Sequence, residues 1–224
     1  MDYIKDTKNA YKGELKAKEY HELYTKGFKW ARFTMWRQRV FIKKIINQCN
    51  FTETDKILDI PCGTGFIGKI LCETPASITA SDISAEMIKR ATGEYIGDNF
   101  DGFVKCDITQ TPFSKESFDC VIILALMHRL PKEIRNQTWE EVIRISKKYI
   151  IVNYGFDSHS QRLKKWLLKK VHPNYIPAPS SLPMEDIITE INSYGLAIKK
   201  VSSVVFFFSG KVIFLLVKKH DYVL

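Results

Sequence analysis

The segment Ile57-Leu58-Asp59-Ile60-Pro61-Cys62-Gly63-Thr64-Gly65-Phe66-Ile67-Gly68 constrains this chain more than any other stretch. A short apolar run breaks into a glycine-rich turn, and a helical pattern opens near Phe66. Glycine lets a backbone approach a ligand closely, and the first turn of a helix offers N–H groups with no partner of their own. The spacing Gly63, Gly65, Gly68 also satisfies the dinucleotide fingerprint, which by itself is a weak signal.

Downstream of this turn, strand and helix patterns alternate. Strand-like runs fall at Lys56–Ile60, Ser77–Ser81, Gly102–Cys106, Phe118–Leu124 and Tyr149–Asn153. Helical stretches lie between them at Phe66–Glu73, Ser84–Tyr95 and Lys132–Ser146. Alternation with short connections predicts a parallel sheet covered on both faces. The end of the chain breaks the pattern, because Leu196–Phe208 and Lys211–Lys218 are strand-like runs joined by Ser209-Gly210, a hairpin signal. The fold class expected is α/β, Rossmann-like, with a seven-stranded and mostly parallel sheet closing in a C-terminal antiparallel hairpin.

Upstream, residues 1–55 read as a helical cap, with Trp36, Val40, Phe41, Ile45 and Cys49 at helical spacing. Ser158–Val171 carries Arg162, Lys164, Lys165, Lys169 and Lys170 with no acid, and His172–Pro183 holds four of the eight prolines. This reads as an inserted basic helix and a stiff loop. A single domain of 224 residues is expected, with a cap (1–55), a core (56–154), the insertion (155–183) and a closing helix and hairpin (184–224).

Composition narrows the class. Apolar residues make up 45% of the chain, enough for a sizeable core, while the longest apolar run, Cys120 to Met127, is far too short to span a bilayer. Five cysteines without a CxxC pair argue against a disulfide framework or zinc ribbon, and no cluster suggests a metal. The N-terminus lacks an apolar h-region, so the chain reads as cytoplasmic. A net charge of +9 attracts phosphate, carboxylate, nucleic acid or an anionic membrane without choosing among them.

Two more strand ends carry acids. Asp82 lies 19 residues beyond Gly63, where a carboxylate suits ribose hydroxyls; it also suits a cap for the helix after Ser84. Cys106-Asp107-Ile108 ends the third strand and reads either as an adenine contact or as a turn before Thr109. Asp59, Asp82 and Asp107 are expected along one crevice at the carboxyl edge of the sheet, where open α/β sheets bind ligands.

With these residues assembled, the chain resembles class I S-adenosylmethionine-dependent methyltransferases over roughly Lys56 to Lys218. The resemblance rests on Asp59-x-x-x-Gly63-x-Gly65, Asp82, Ser84-x-x-Met87-Ile88, Cys106-Asp107 and the closing hairpin. It is nearest to the small-molecule branch whose first strand ends in Asp-x-Pro-Cys-Gly-Thr-Gly. The resemblance implies S-adenosylmethionine as cofactor, with Gly63 and Gly65 admitting its methionine part and Asp59 acting on its amino group through the loop or a water. It further implies that Asp82 holds the ribose hydroxyls, Ile83 packs on the adenine, and Asp107 and Ile108 border it on the other side, with Pro61, Thr64, Met87 and Cys106 as further cofactor-binding candidates. Leu124 and Ala125 offer backbone carbonyls, and Arg32 or Arg37 is a candidate for the cofactor carboxylate.

The acceptor should face the ends of the fourth and fifth strands, at Met127-His128-Arg129 and Asn153-Tyr154-Gly155. His128 is the candidate general base, or else a loop-packing histidine. Arg129 suits an anionic acceptor or the surface, and Tyr154 suits the pocket or the core. No Asn/Asp-Pro-Pro-aromatic turn follows the fourth strand, so a nucleic-acid substrate is disfavoured against a small, sugar- or lipid-linked acceptor. An anionic or membrane-associated acceptor would suit the basic stretch, which could place the protein peripherally on a membrane; monomer and homodimer both remain open. RNA, DNA or protein methylation, a nicotinamide oxidoreductase and a non-catalytic binding subunit are the competing readings.

Overall fold

The computed structural model describes residues 29–156, 182–204 and 210–218, together with Lys170. The first 28 residues, nearly all of the basic insertion and its proline-rich loop, and Ser209 of the expected hairpin turn lie outside the described residues.

A long helix, α1 (Lys29–Gln48), precedes the repeating units. These run β1 (Lys56–Asp59), α2 (Gly68–Cys72), β2 (Ser77–Asp82), α3 (Ala85–Ala91), β3 (Phe100–Lys105) and β4 (Phe118–Ile123). A single 3-10 turn (Met127–Arg129) leads to α4 (Lys132–Ile145) and β5 (Ser146–Gly155). The chain closes with α5 (Met184–Ser193), β6 (Leu196–Ser203) and β7 (Lys211–Lys218).

The seven strands form one sheet in the order β3-β2-β1-β4-β5-β7-β6. Pairings from β3 through β5 are parallel, whereas β7 runs antiparallel to both β5 and β6. The last strand therefore inserts between β5 and β6, and β6 becomes the edge. Their sequences fit these places. Lys211-Val-Ile-Phe-Leu-Leu-Val-Lys218 is buried along its middle, as a strand covered on both faces requires, while Lys199 and Lys200 mark the edge strand with charge.

Side chains alternate between two cores. Ile57, Ile78, Cys120, Ile122, Ile151 and Leu215 face α1, α2 and α3, packing on Ile42, Ile45, Ile46, Ile67 and Leu71. Leu58, Val121, Ile123, Ile150, Val152 and Phe214 face α4 and α5, packing on Trp139, Val142, Ile187 and Ile191. Both surfaces of the central strands are thus closed, which leaves their carboxyl ends as the place where loops meet a ligand. Because β7 is reversed, its first residue, Lys211, pairs with Gly155 and stands at that same edge.

Candidate active site

A cavity of about 180 Å³ opens at the carboxyl edge of β1, β2, β4 and β5, with α1 above it. Its walls include Asp59, Pro61, Cys62, Gly63, Thr64, Asp82, Ile83 and Met87 on one side. Leu124, Ala125, His128, Arg129, Asn153, Tyr154 and Lys211 lie on the other, and α1 contributes Met35 and Gln38.

The glycine turn is fixed by its own hydrogen bonds. The Cys62 N–H donates to the Ser81 carbonyl at 2.8 Å, the Gly65 N–H to Cys62 and the Gly68 N–H to Gly65, each at 3.0 Å. Gly63 and Gly65 have φ of +54° and +80°, conformations a side chain adopts only with strain. Their surroundings differ. A Cβ on Gly63 would meet nothing within 4 Å, so this residue leaves space beside the cavity. A Cβ on Gly65 would lie 2.6 Å from the Glu94 Cβ, and one on Gly68 2.6 Å from the Glu94 carbonyl oxygen. Two of the three glycines therefore serve packing against residues 91–95.

Asp82 ties the glycine turn to the start of α3. Its Oδ2 accepts the Gly63 N–H and its Oδ1 accepts the Ser84 N–H, both at 2.9 Å, and it also lines the cavity. Ser84 caps α3 by accepting the Met87 N–H. Asp59 is buried, and the Tyr95 hydroxyl donates to its Oδ2. Burial outweighs that hydrogen bond and, with the nearby Asp82 charge, raises the Asp59 carboxyl to about 7. Burial likewise raises Asp82, against hydrogen bonds from Ser84, Gly63 and Ile83 that favour its ionised form. Cys62 is buried beside both acids, its thiol is pushed far up, and it is a packing residue rather than a nucleophile.

Other sequence-derived candidates lie elsewhere. Asp107 accepts the Thr109 N–H at 3.1 Å and its hydroxyl at 2.9 Å, forming the local turn that was its alternative reading. Cys106 approaches Ser81 Oγ at 3.0 Å, and Ile108 is buried in the core facing α4. Cys106, Asp107, Ile108 and Gly65 are not among the described residues lining the cavity. Arg32 is exposed on α1; the Arg37 Nε donates to the Val204 carbonyl at 3.0 Å and its guanidinium lies over Phe41, so neither lines the cavity either.

On the opposite wall, Ala125 has φ of +57° and its N–H donates to Asn153 Oδ1 at 2.6 Å, a bond that holds the chain in this strained turn. Tyr154 borders the cavity, but its ring packs edge-on against Phe214 in the core and its hydroxyl donates to Glu190 Oε1 at 3.0 Å. Glu190 also accepts the Trp139 indole N–H and pairs with Arg135 at 2.8 Å. Tyr154 is consequently a wall held by a buried network.

His128 packs near Gly155, and burial together with Arg129 and Lys211 lowers its imidazole to about 4. Lys211 is lowered to about 8 by burial and by Arg129. Its ammonium donates to Gln38 Oε1 at 3.3 Å and lies 3.5 Å from Met35 Sδ. The sequence reading missed Met35, Gln38 and Lys211, and it placed Asn153 at the acceptor edge without giving it a role. Asn153 alone carried a local signal, as a polar residue ending an apolar strand.

A sheet ordered 3-2-1-4-5-7-6 with the seventh strand reversed, and a cavity at its carboxyl edge behind a glycine turn, is the architecture of class I S-adenosylmethionine-dependent methyltransferases. Residues 57–149 match the family described as Methyltransferase domain. The chain is similar to magnesium protoporphyrin IX methyltransferase from Synechocystis PCC 6803, solved with bound S-adenosylhomocysteine, at a TM-score of 0.73 and 16% identity over 97% of each chain. It is also 29% identical over 123 residues, 53% of this chain, to sterol methyltransferase-like 3 of Botryococcus braunii. A shorter stretch of 69 residues, 31% of this chain, is 36% identical to demethylmenaquinone methyltransferase of Clavibacter sepedonicus. The matched stretches span 31% and 28% of those two curated relatives. Among the described residues, no helix is long and apolar enough to cross a membrane.

Proposed function

We propose that the protein moves a methyl group from S-adenosylmethionine to an oxygen or nitrogen of a small-molecule acceptor, sugar- and lipid-linked acceptors included. The observation that carries this reading is one cavity with buried acids on its β1–β2 side and His128, Arg129 and Lys211 on its β4–β7 side. The residues of the acid side fit the cofactor. Gly63 leaves open space beside Asp82, whose carboxyl suits ribose hydroxyls, and Asp59 is a buried carboxyl that a cationic amino group would stabilise. Ile83 and Met87 supply apolar wall for an adenine, and the Leu124–Ala125 turn supplies backbone carbonyls.

S-adenosylmethionine, when bound, supplies a methyl group activated on a sulfonium. The protein's share is then alignment and exclusion of water, since in-line displacement needs a nucleophile held close and on axis. Arg129 and Tyr154 border the acceptor side. His128 is neutral at physiological pH and can accept a proton from an acceptor hydroxyl or ammonium, although its low basicity limits that help.

Calorimetric titration with S-adenosylhomocysteine, with NADH as control, tests the cofactor. Micromolar binding of the former alone is the expected result, and binding of NADH alone would reverse the assignment. Asp82→Ala should abolish cofactor binding. His128→Ala should leave it intact and slow transfer by about tenfold to a hundredfold. Equal loss of binding in both variants removes His128 from the acceptor side.

A further inference from the structure

The cationic half of the cavity has a feature the methyl-transfer reading leaves unused. Lys211 sits at the first position of β7, in register with Gly155, so its stem enters the site from the strand farthest from Asp82 that still lines the cavity. Among the described residues no carboxylate pairs with its ammonium, and what it meets is the Gln38 amide oxygen at 3.3 Å and the Met35 thioether. An ammonium largely withdrawn from water with such weak partners is costly unless a ligand supplies the counter-charge. Arg129 stands close enough to lower Lys211, and both lower His128, so three basic side chains converge on one end.

Topology separates this end from the acids. In the order β2-β1-β4-β5-β7, β1 and β7 are three strand spacings apart, roughly 14 Å at ~4.8 Å each. A ligand end with an amino group and ribose hydroxyls suits Asp59 and Asp82. An oxyanion suits the opposite wall, beside the ends of β4 and β5 where the acceptor must lie.

We infer that Lys211, with Arg129 beside it and Gln38 behind it, forms an oxyanion subsite for the acceptor, and that the acceptor carries a carboxylate or phosphate. This rests on the cofactor reading above. Among the described residues, the groups facing Lys211 are His128 and Arg129 from the 3-10 turn and Gln38 and Met35 from α1. An anion arriving here therefore favours the protonated lysine.

The test uses the full chain, with Lys211→Met to remove charge at similar length and Lys211→Arg to retain it. S-adenosylhomocysteine is titrated first. Benzoate and inorganic phosphate are then titrated into the saturated protein, with benzyl alcohol as the uncharged control. We expect S-adenosylhomocysteine affinity to stay within about twofold in both variants. At least one anion should bind the wild type, about tenfold or more weakly in Lys211→Met and near normally in Lys211→Arg. Near pH 8.5 that binding should take up a proton, read from the dependence of the heat on buffer ionisation enthalpy. A tenfold loss of S-adenosylhomocysteine affinity in Lys211→Met with unchanged anion binding would give Lys211 to the cofactor carboxylate and overturn the inference. Absence of anion binding in saturated wild type overturns it too. Failure of S-adenosylhomocysteine to bind the wild type overturns the cofactor reading itself, and is told apart because it precedes any anion.

Discussion

At the scale of single residues, the site keeps groups that cost the fold stability. Asp59 is 2% exposed and its carboxyl is raised to about 7, against about 4 in an unfolded chain. Between those values the folded protein holds a proton that the unfolded chain has released, so stability falls as pH rises from about 4 to about 7. The full shift corresponds to something on the order of 4 kcal/mol. Asp59→Asn keeps a partner for the Tyr95 hydroxyl and removes the titration. Chemical denaturation should show the variant more stable than wild type at pH 8, by a few kcal/mol at most, with the slope between pH 4 and 7 flattened. Its affinity for S-adenosylhomocysteine should fall. A variant no more stable at pH 8 would mean that Asp59 is ionised in the folded protein at little cost. The sequence placed Asp59 and Asp82 at the cavity because each ends an apolar strand next to the glycine turn. It held no such local hint of Gln38 or Lys211, which meet across 173 positions and only because β7 inserts beside β5.

Elements explain which boundaries were readable. Strands emerged from apolar runs, since a strand buried on both faces has no polar side to blur it. Helix ends shifted where the backbone had other work. The sequence pattern starts α2 at Phe66, yet it begins at Gly68, because residues 62–65 close successive turns upon themselves. It extends α3 to Tyr95, yet the helix ends at Ala91, and the chain turns so that Tyr95 reaches Asp59. This geometry separates glycines that look equivalent in the fingerprint. Gly68→Ala forces a methyl against the Glu94 carbonyl, which is backbone and yields little, so a destabilisation of about 1–3 kcal/mol is expected. Gly63→Ala meets open space and bears only the cost of its positive φ, about 1–2 kcal/mol, while it narrows the cavity beside Asp82. Thermal melts paired with S-adenosylhomocysteine titration should show Gly68→Ala losing chiefly stability. Gly63→Ala should lose affinity beyond its loss of stability; the reverse ranking would exchange their roles.

At the scale of the whole molecule, α1 ties the two halves of the sheet over the cavity. The Arg39 Nε donates to the Phe66 carbonyl at 2.8 Å, beside the glycine turn, and Lys43 pairs with Glu73 after α2. The Arg37 Nε bonds the Val204 carbonyl after β6, and Lys200 of β6 reaches Gln48. The exposed ion pair among these adds little by itself, but together the contacts span from the β1 side to the β6 edge. A ligand filling the cavity touches β1, β2, β4, β5 and α1 together and should stabilise them as one unit. At a ligand concentration of a hundred times Kd, linkage gives about 2.7 kcal/mol. For a domain of this length that corresponds to a rise in Tm of roughly 5–11 °C. Wild type in excess S-adenosylhomocysteine should show this rise as a single sharpened transition. Asp82→Ala should show none at the same concentration, because removing its carboxylate frees the Gly63 N–H and unsettles the turn as well as the contact. A split transition, with only part of the signal moving, would show that α1 melts independently of the sheet and does not close the site.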